Sequence, residues 1–207
     1  MRFDVGALGT WLLRQVTAQA VRRRWTGPVA GVPHVPLQGP CIVICNHGSY
    51  LDFLLLSAIF ELDFRRILRF WAGGKITGHW FFRHYCGRAG CLEVSQTHMA
   101  KTAWQTSVQC LQRGDFLCIF PEGTRTRTGQ LQDFKLGYLR LAAETGAPVL
   151  PVRLANSYDV WPPHRRFPRL RRVGIEFHKP VQVAPDLSPS ELRNLNAFIR
   201  STCYQAC

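Results

Sequence analysis

Two short stretches of the chain hold residue types suited to moving a proton. In N-H-G-S-Y-L-D, residues Asn46 to Asp52, an imidazole is followed five positions later by a carboxylate. Imidazole alone among side chains has an unperturbed pKa between about pH 5 and 8, which makes His47 the natural proton acceptor. General-base help of this kind contributes about 10²–10⁴-fold in rate. Asp52 is its orienting partner: a carboxylate on one ring nitrogen fixes the tautomer and stabilises the imidazolium as the proton arrives. The dyad carries no nucleophile of its own. Ser49 would make the protein a hydrolase with a covalent intermediate, but the chain has no G-x-S-x-G elbow and a serine two residues after the base is poorly placed to reach its lone pair. Ser49 reads instead as a cap on the following helix.

The second stretch, Pro121-Glu122-Gly123-Thr124-Arg125, directly follows the apolar run Phe116 to Phe120, as His47 follows Cys41 to Cys45. Both runs read as buried strands. The carboxyl ends of sheet strands are where α/β folds bind ligands, and parallel neighbours would turn His47 and Arg125 toward a common crevice. Around them, strands are expected at Ile67 to Trp71, Pro148 to Leu154 and, at a sheet edge, Val173 to Phe177. Helices are expected at Leu51 to Leu62, Thr97 to Gln112 and Phe134 to Glu144. Ser188-Pro189-Ser190-Glu191 combines a capping box with proline at the first helical position and opens a last helix with Leu192, Leu195 and Ile199 as its stripe. The expected fold is a single α/β domain, residues 27–207, with a central mixed, mostly parallel sheet flanked by helices. Gly27 to Pro40 reads as a linker.

Residues 1–26 are expected to form an amphipathic helix. Val5, Leu8, Leu12, Val16 and Ala20 share one face, with Thr10, Arg14 and Thr17 opposite. The helix ends in Arg22-Arg23-Arg24-Trp25, which suits an anionic headgroup layer and suggests an in-plane membrane anchor. Packing of this helix on the domain is the alternative. No uninterrupted apolar run reaches the roughly eighteen residues of a spanning helix.

The 26 Lys and Arg against 13 Asp and Glu leave a formal charge of +13, so an anionic partner is expected. Neither zinc-finger spacing nor an RNP-like aromatic motif is present, and nucleic acid is not the expected partner. Eight cysteines without a C-x-x-C pair fit a reduced, cytosolic setting. His79, His84, Cys86, Cys91 and His98 match no familiar zinc spacing, and no metal is expected.

Taken together, N-H-G-S-Y-L-D and the later F-P-E-G-T-R resemble the glycerolipid acyltransferase family that includes lysophosphatidic acid acyltransferases. Phe134-Lys135-Leu136-Gly137 and Ala147-Pro148-Val149-Leu150-Pro151-Val152 look like its third and fourth landmarks, so the resemblance runs from about Pro40 to Leu154. It implies that His47, oriented by Asp52, deprotonates an acceptor hydroxyl, which attacks an acyl thioester directly. Glu122, Gly123, Thr124 and Arg125 would form the acceptor-binding turn, with the guanidinium forking onto phosphate oxygens. The implied partners are a lysolipid acceptor, most simply 1-acyl-glycerol-3-phosphate, and acyl-CoA or acyl carrier protein as co-substrate. No cofactor is implied, and the expected location is the cytoplasmic face of a membrane.

The chain departs from the family pattern at two cationic positions. The stretch matching the second motif, Gly90 to Gln96, ends in a neutral residue, and Gly73 stands where a lysine is frequent after the third strand. Lys75, Arg83 or Arg88 could compensate. A phosphodiester or amino-acid head group therefore stays open beside the phosphate monoester, as does a lipid-binding protein without catalysis. The five arginines between His164 and Arg172 suit a solvated loop, anionic lipid or an acidic donor equally.

Overall fold

A computed structural model describes residues 6–73, 92–94 and 100–204. The strands are β1 (Thr26–Ala30), β2 (Cys41–Cys45), β3 (Leu68–Gly73), β4 (Leu92–Val94), β5 (Phe116–Ile119), β6 (Val149–Ala155) and β7 (Val173–Phe177). The helices are α1 (Gly6–Trp25), α2 (Asp52–Leu62), α3 (Ala100–Gln112), α4 (Gly137–Thr145), the single turn α5 (Ser157–Val160) and α6 (Pro189–Tyr204). One mixed sheet runs β1-β7-β6-β2-β5-β3-β4, with only β6 and β7 antiparallel. The expected α/β architecture is therefore present. The compensating residues Lys75, Arg83 and Arg88, the His79 to His98 group and all of the second motif except the Leu92–Val94 backbone lie outside the described residues.

The continuous apolar run of β2 follows from burial on both faces of the sheet. Cys41, Val43 and Cys45 pack into the core shared with α1 and α2, while Ile42 and Ile44 join α3, α4 and α6 on the opposite face. The capping box at α6 forms as expected: Ser188 N–H donates to Glu191 Oε2 at 2.7 Å and Glu191 N–H to Ser188 Oγ at 3.3 Å. Several boundaries differ by one to three residues, most at α4, which starts at Gly137 rather than Phe134 because Phe134 leaves the helix path to fill the core.

One expectation is corrected. The stretch from Gly27 is no simple linker: β1 pairs in parallel with β7 and takes the sheet edge that Val173 to Phe177 was expected to hold. Pro28 lacks a donor, which an edge strand tolerates, and the register shifts across Gly27-Pro28. Helix α1, for its part, packs on α2 through the face opposite its apolar stripe. Thr10, Arg14, Ala18 and Val21 are buried there, with Arg14 paired to Glu61 at 2.7 Å and Gln15 donating to the same carboxylate at 2.8 Å. Leu8, Leu12 and Val16, joined by Trp11, face outward.

The sheet opens locally between β2 and β6. Ile44 lies opposite Pro151, and the Tyr204 hydroxyl sits between the two strands, donating to Ile44 O at 2.8 Å and accepting from Val152 N–H at 3.2 Å. Burial pushes this phenol well above its ordinary range, so it stays a donor. Further along, the Asn46 amide takes over the ladder, accepting from Leu154 N–H at 2.8 Å and donating to Leu154 O at 3.1 Å. Tyr204→Phe is expected to lower unfolding stability by about 1–3 kcal/mol, because it strands a buried donor and a buried acceptor at once. Urea unfolding checks this, and an unchanged midpoint would mean that the strands close without the hydroxyl.

Candidate active site

The in-register parallel pairing of β2 with β5, Ile44 opposite Ile119, brings the two chemical stretches out of the sheet side by side. His47 Nδ1 lies 2.9 Å from Asp52 Oδ2. The same oxygen accepts the Gly48 N–H at 2.9 Å and the Ser49 N–H at 2.8 Å. An oxygen that accepts two backbone donors is a carboxylate acceptor for the ring as well, so Nδ1 carries the hydrogen and Nε2 the lone pair. Asp52 is fully buried, and its Oδ1 has no hydrogen-bond partner among the described residues. The imidazole keeps 13% of its side-chain surface exposed and stacks on Phe120 at 3.9 Å and 16°. That ring sandwich explains why β5 ends at Ile119: Phe120 turns out of the strand to meet His47.

The His47 peptide is held from both sides by the second turn. Its N–H donates to Glu122 Oε1 at 2.7 Å, and its carbonyl accepts from Thr126 N–H at 2.9 Å. The other Glu122 oxygen accepts from Gln132 N–H at 3.0 Å. The carboxylate of Glu122 is thus a strut between the two turns. Burial lifts its carboxyl above the ordinary value, against the lowering pull of the His47 and Gln132 hydrogen bonds. A carboxyl raised on folding holds its proton longer folded than unfolded, so this contribution to stability is full below the ordinary carboxylate pKa and is lost as pH rises through the raised folded value. Glu122→Gln is expected to remove that slope. It should also cost about 1–3 kcal/mol, because one acceptor becomes a donor facing either the His47 or the Gln132 N–H. Thermal melts of both proteins across the acid range measure the two effects, and parallel pH curves would dismiss the first.

Two glycines set the approach of the turns. Gly123 has φ +77, a left-handed conformation that favours glycine. A Cβ at Gly48 would meet the Ser157 Oγ at 2.8 Å and the Tyr158 backbone N at 3.0 Å, so the His47 turn fits under α5 only without a side chain. Thr124 is exposed, and its carbonyl accepts from Gln132 Nε2 at 3.1 Å.

Arg125 lies with its guanidinium over the Tyr50 ring, 4.0 Å from the centroid, and Tyr50 leans on Trp161 at 5.5 Å. Among the described residues no carboxylate pairs with it, and its buried Nε has no hydrogen-bond partner. The crevice expected for His47 and Arg125 is made of two adjoining hollows that share a wall. His47 lines a hollow of about 710 Å³ with Asn46, Glu122 and Tyr204. Arg125 lines a neighbouring one of about 810 Å³ with Tyr50, Arg127 and His164, and Thr126 and Thr128 line both. Tyr50 and Phe120 sit inside the two stretches singled out from sequence but had no role there; aromatic type at those positions was the available signal. Tyr204 had none.

Ser49 is no nucleophile in this arrangement. It is fully buried, its Oγ accepts from Leu51 N–H at 3.1 Å and donates to Trp161 O at 3.2 Å. Cys45 and Cys118 are equally unsuited, because burial pushes both thiols well above their ordinary range and suppresses the thiolate. Among the described residues no group of three His, Cys, Asp or Glu side chains could hold a metal ion.

Sequence and fold both place the chain beside a known set of proteins. The model of the family described as Acyltransferase matches residues 28–155, more than half of the chain. The chain belongs to the Acyltransferase family. It is 31% identical over 137 residues to a protein named 1-acyl-sn-glycerol-3-phosphate acyltransferase from Pseudomonas aeruginosa, covering 65% of this chain and 51% of that one. It is 28% identical over 174 residues to one of the same name from Borreliella burgdorferi, covering 83% of this chain and 68% of that one. The crystal structure of the 1-acyl-sn-glycerophosphate (LPA) acyltransferase, PlsC, from Thermotoga maritima superposes with a TM-score of 0.75 at 26% identity, covering 92% of this chain and 76% of that one. The chain spans about half the length of the first curated relatives it matches, 51% and 50%. His47, Asp52 and the Glu122 to Arg125 turn all fall within the part matched by the family.

Proposed function

We propose that this acyltransferase-family chain is an O-acyltransferase that moves a fatty acyl group from acyl-CoA or acyl carrier protein to the free hydroxyl of a lysolipid, 1-acyl-glycerol-3-phosphate first among them. The observation that carries the proposal is the His47 imidazole, oriented through Nδ1 by a buried carboxylate and left with its Nε2 lone pair. Nε2 takes the proton of the acceptor hydroxyl as the oxygen attacks the thioester carbonyl. The C–S bond then breaks, and the thiolate leaves with the proton returned from Nε2, so that one ester and one thiol form. A thioester is already activated, and the step assigns no cofactor.

Arg125 is the head-group ligand in this proposal. An unpaired guanidinium, its face held against Tyr50, presents its edge donors to an anion. Charge-assisted bonds of this kind contribute about 1.5–3 kcal/mol each. Arg125→Ala is therefore expected to raise the acceptor KM about 10–100-fold with a smaller change in kcat. An unchanged KM would remove the assignment. The overall test mixes protein, an acyl thioester and a panel of lysolipids and follows free thiol. Thiol released only with acceptor supports transfer, release without acceptor indicates a hydrolase, and no release indicates a lipid-binding protein. Including phosphodiester and amino-acid lysolipids in the panel addresses the neutral Gly73 and Gln96 positions.

Work at a membrane surface belongs to the same proposal. Among the described residues no helix is long and apolar enough to cross a membrane. The outward stripe Leu8, Trp11, Leu12 and Val16 on α1, followed by Arg23 and Arg24, supports in-plane contact with an anionic bilayer.

A further inference from the structure

The turn between α5 and β7 reads R-R-F-P-R-L-R-R from Arg165 to Arg172. Its backbone is held, not free: Arg169 N–H donates to Val160 O at 2.8 Å, and the Arg165 carbonyl accepts from the Trp161 indole at 3.1 Å. Yet Phe167 and Leu170 are each 66% exposed, in the midst of five arginines. Among the described residues, Arg171 is the one of those five paired with a carboxylate side chain, at 3.3 Å to Asp159. A loop designed only for solvation would not hold two large apolar side chains outward. A soluble anion or a nucleic acid would explain the arginines but leave Leu170 without a purpose, since an aliphatic side chain offers bases no stacking face. Cationic and apolar side chains interleaved on one rigid turn fit the headgroup and upper acyl region of an anionic bilayer.

The turn is joined to both other parts of the proposed machinery. The Trp25 indole at the end of α1 donates to Arg169 O at 2.9 Å, next to Arg22-Arg23-Arg24. At its other end, Pro163 and His164 line the hollow that holds Arg125 and Tyr50. We infer that the 165–172 turn is a second membrane-docking element, inserting Phe167 and Leu170 into an anionic bilayer and holding the rim of the Arg125 hollow at the headgroup layer. The inference rests on the lipid-acyltransferase proposal for its substrate and extends it by saying where the lysolipid enters.

The test uses the full chain and vesicles of phosphatidylcholine with and without phosphatidylglycerol, scored by flotation. Thiol release with a water-soluble short-chain lysolipid is measured in parallel. The Phe167→Ser/Leu170→Ser variant is expected to bind phosphatidylglycerol vesicles about tenfold or more weakly than wild type while keeping short-chain turnover, because the two exposed side chains support nothing in the core. Equal flotation of variant and wild type overturns the inference but leaves the transferase proposal standing on wild-type thiol release. A wild type that does not float overturns it as well. A variant whose chief change is a raised donor KM, with flotation intact, would assign the turn to the acidic donor and also overturn it. If the double variant folds poorly, Arg166→Gln/Arg169→Gln decides: weaker flotation confined to anionic vesicles upholds the inference, and none of that change sinks it.

Discussion

His47→Ala is expected to lower acyl transfer by about 10²–10⁴-fold, the usual contribution of a positioned general base. The fold should survive. Asp52 keeps its bonds from Gly48 and Ser49, and the Glu122 and Thr126 contacts are to the His47 backbone, which alanine retains. The stack on Phe120 is lost, at a cost of about 0.5–1.5 kcal/mol. Circular dichroism and a thermal melt separate that small loss of stability from the loss of turnover. Near wild-type thiol release with a competent lysolipid would take His47 out of the mechanism.

Asp52→Asn should reduce kcat by a similar factor of about 10²–10⁴, for an electrostatic reason. An asparagine carbonyl can take the place of Oδ2 and still accept from the ring and from both backbone donors. Its amide then occupies the position of Oδ1, which already lacks a partner among the described residues. Geometry is kept and charge is removed. The imidazolium formed during transfer loses its counter-charge in a fully buried setting, where such charge counts most. Stability should fall by about 1–3 kcal/mol, since the three donors lose a charged acceptor. A variant with unchanged kcat would show that Asp52 only holds the turn; acceptor KM should change little in either case.

The parts of this molecule readable from sequence are those whose partners lie close in the chain. His47 and Asp52 meet because five residues of turn return the carboxylate to the ring. β2 announces itself because burial on both faces demands a continuous apolar run. β1 does not, since Gly27 and Pro28 look like a break and the pairing that overrides them comes from Val173 and its neighbours, far along the chain. Helix α1 shows why an apolar stripe alone does not fix orientation. Its buried face carries Thr10 and Arg14, and what makes Arg14 acceptable there is Glu61 on another helix. Periodicity placed the stripe; only tertiary charge pairing decided which side turned inward. The placement of Arg125 has the same origin, because its stacking on Tyr50 depends on side-chain direction, which spacing does not encode.

The hydroxyl spliced between Ile44 and Val152 fastens the end of α6 to the sheet. Fraying of that helix end would leave Ile44 O and Val152 N–H facing an unfilled gap two positions before Asn46. Melting there is therefore expected to be felt at the turn that carries the imidazole.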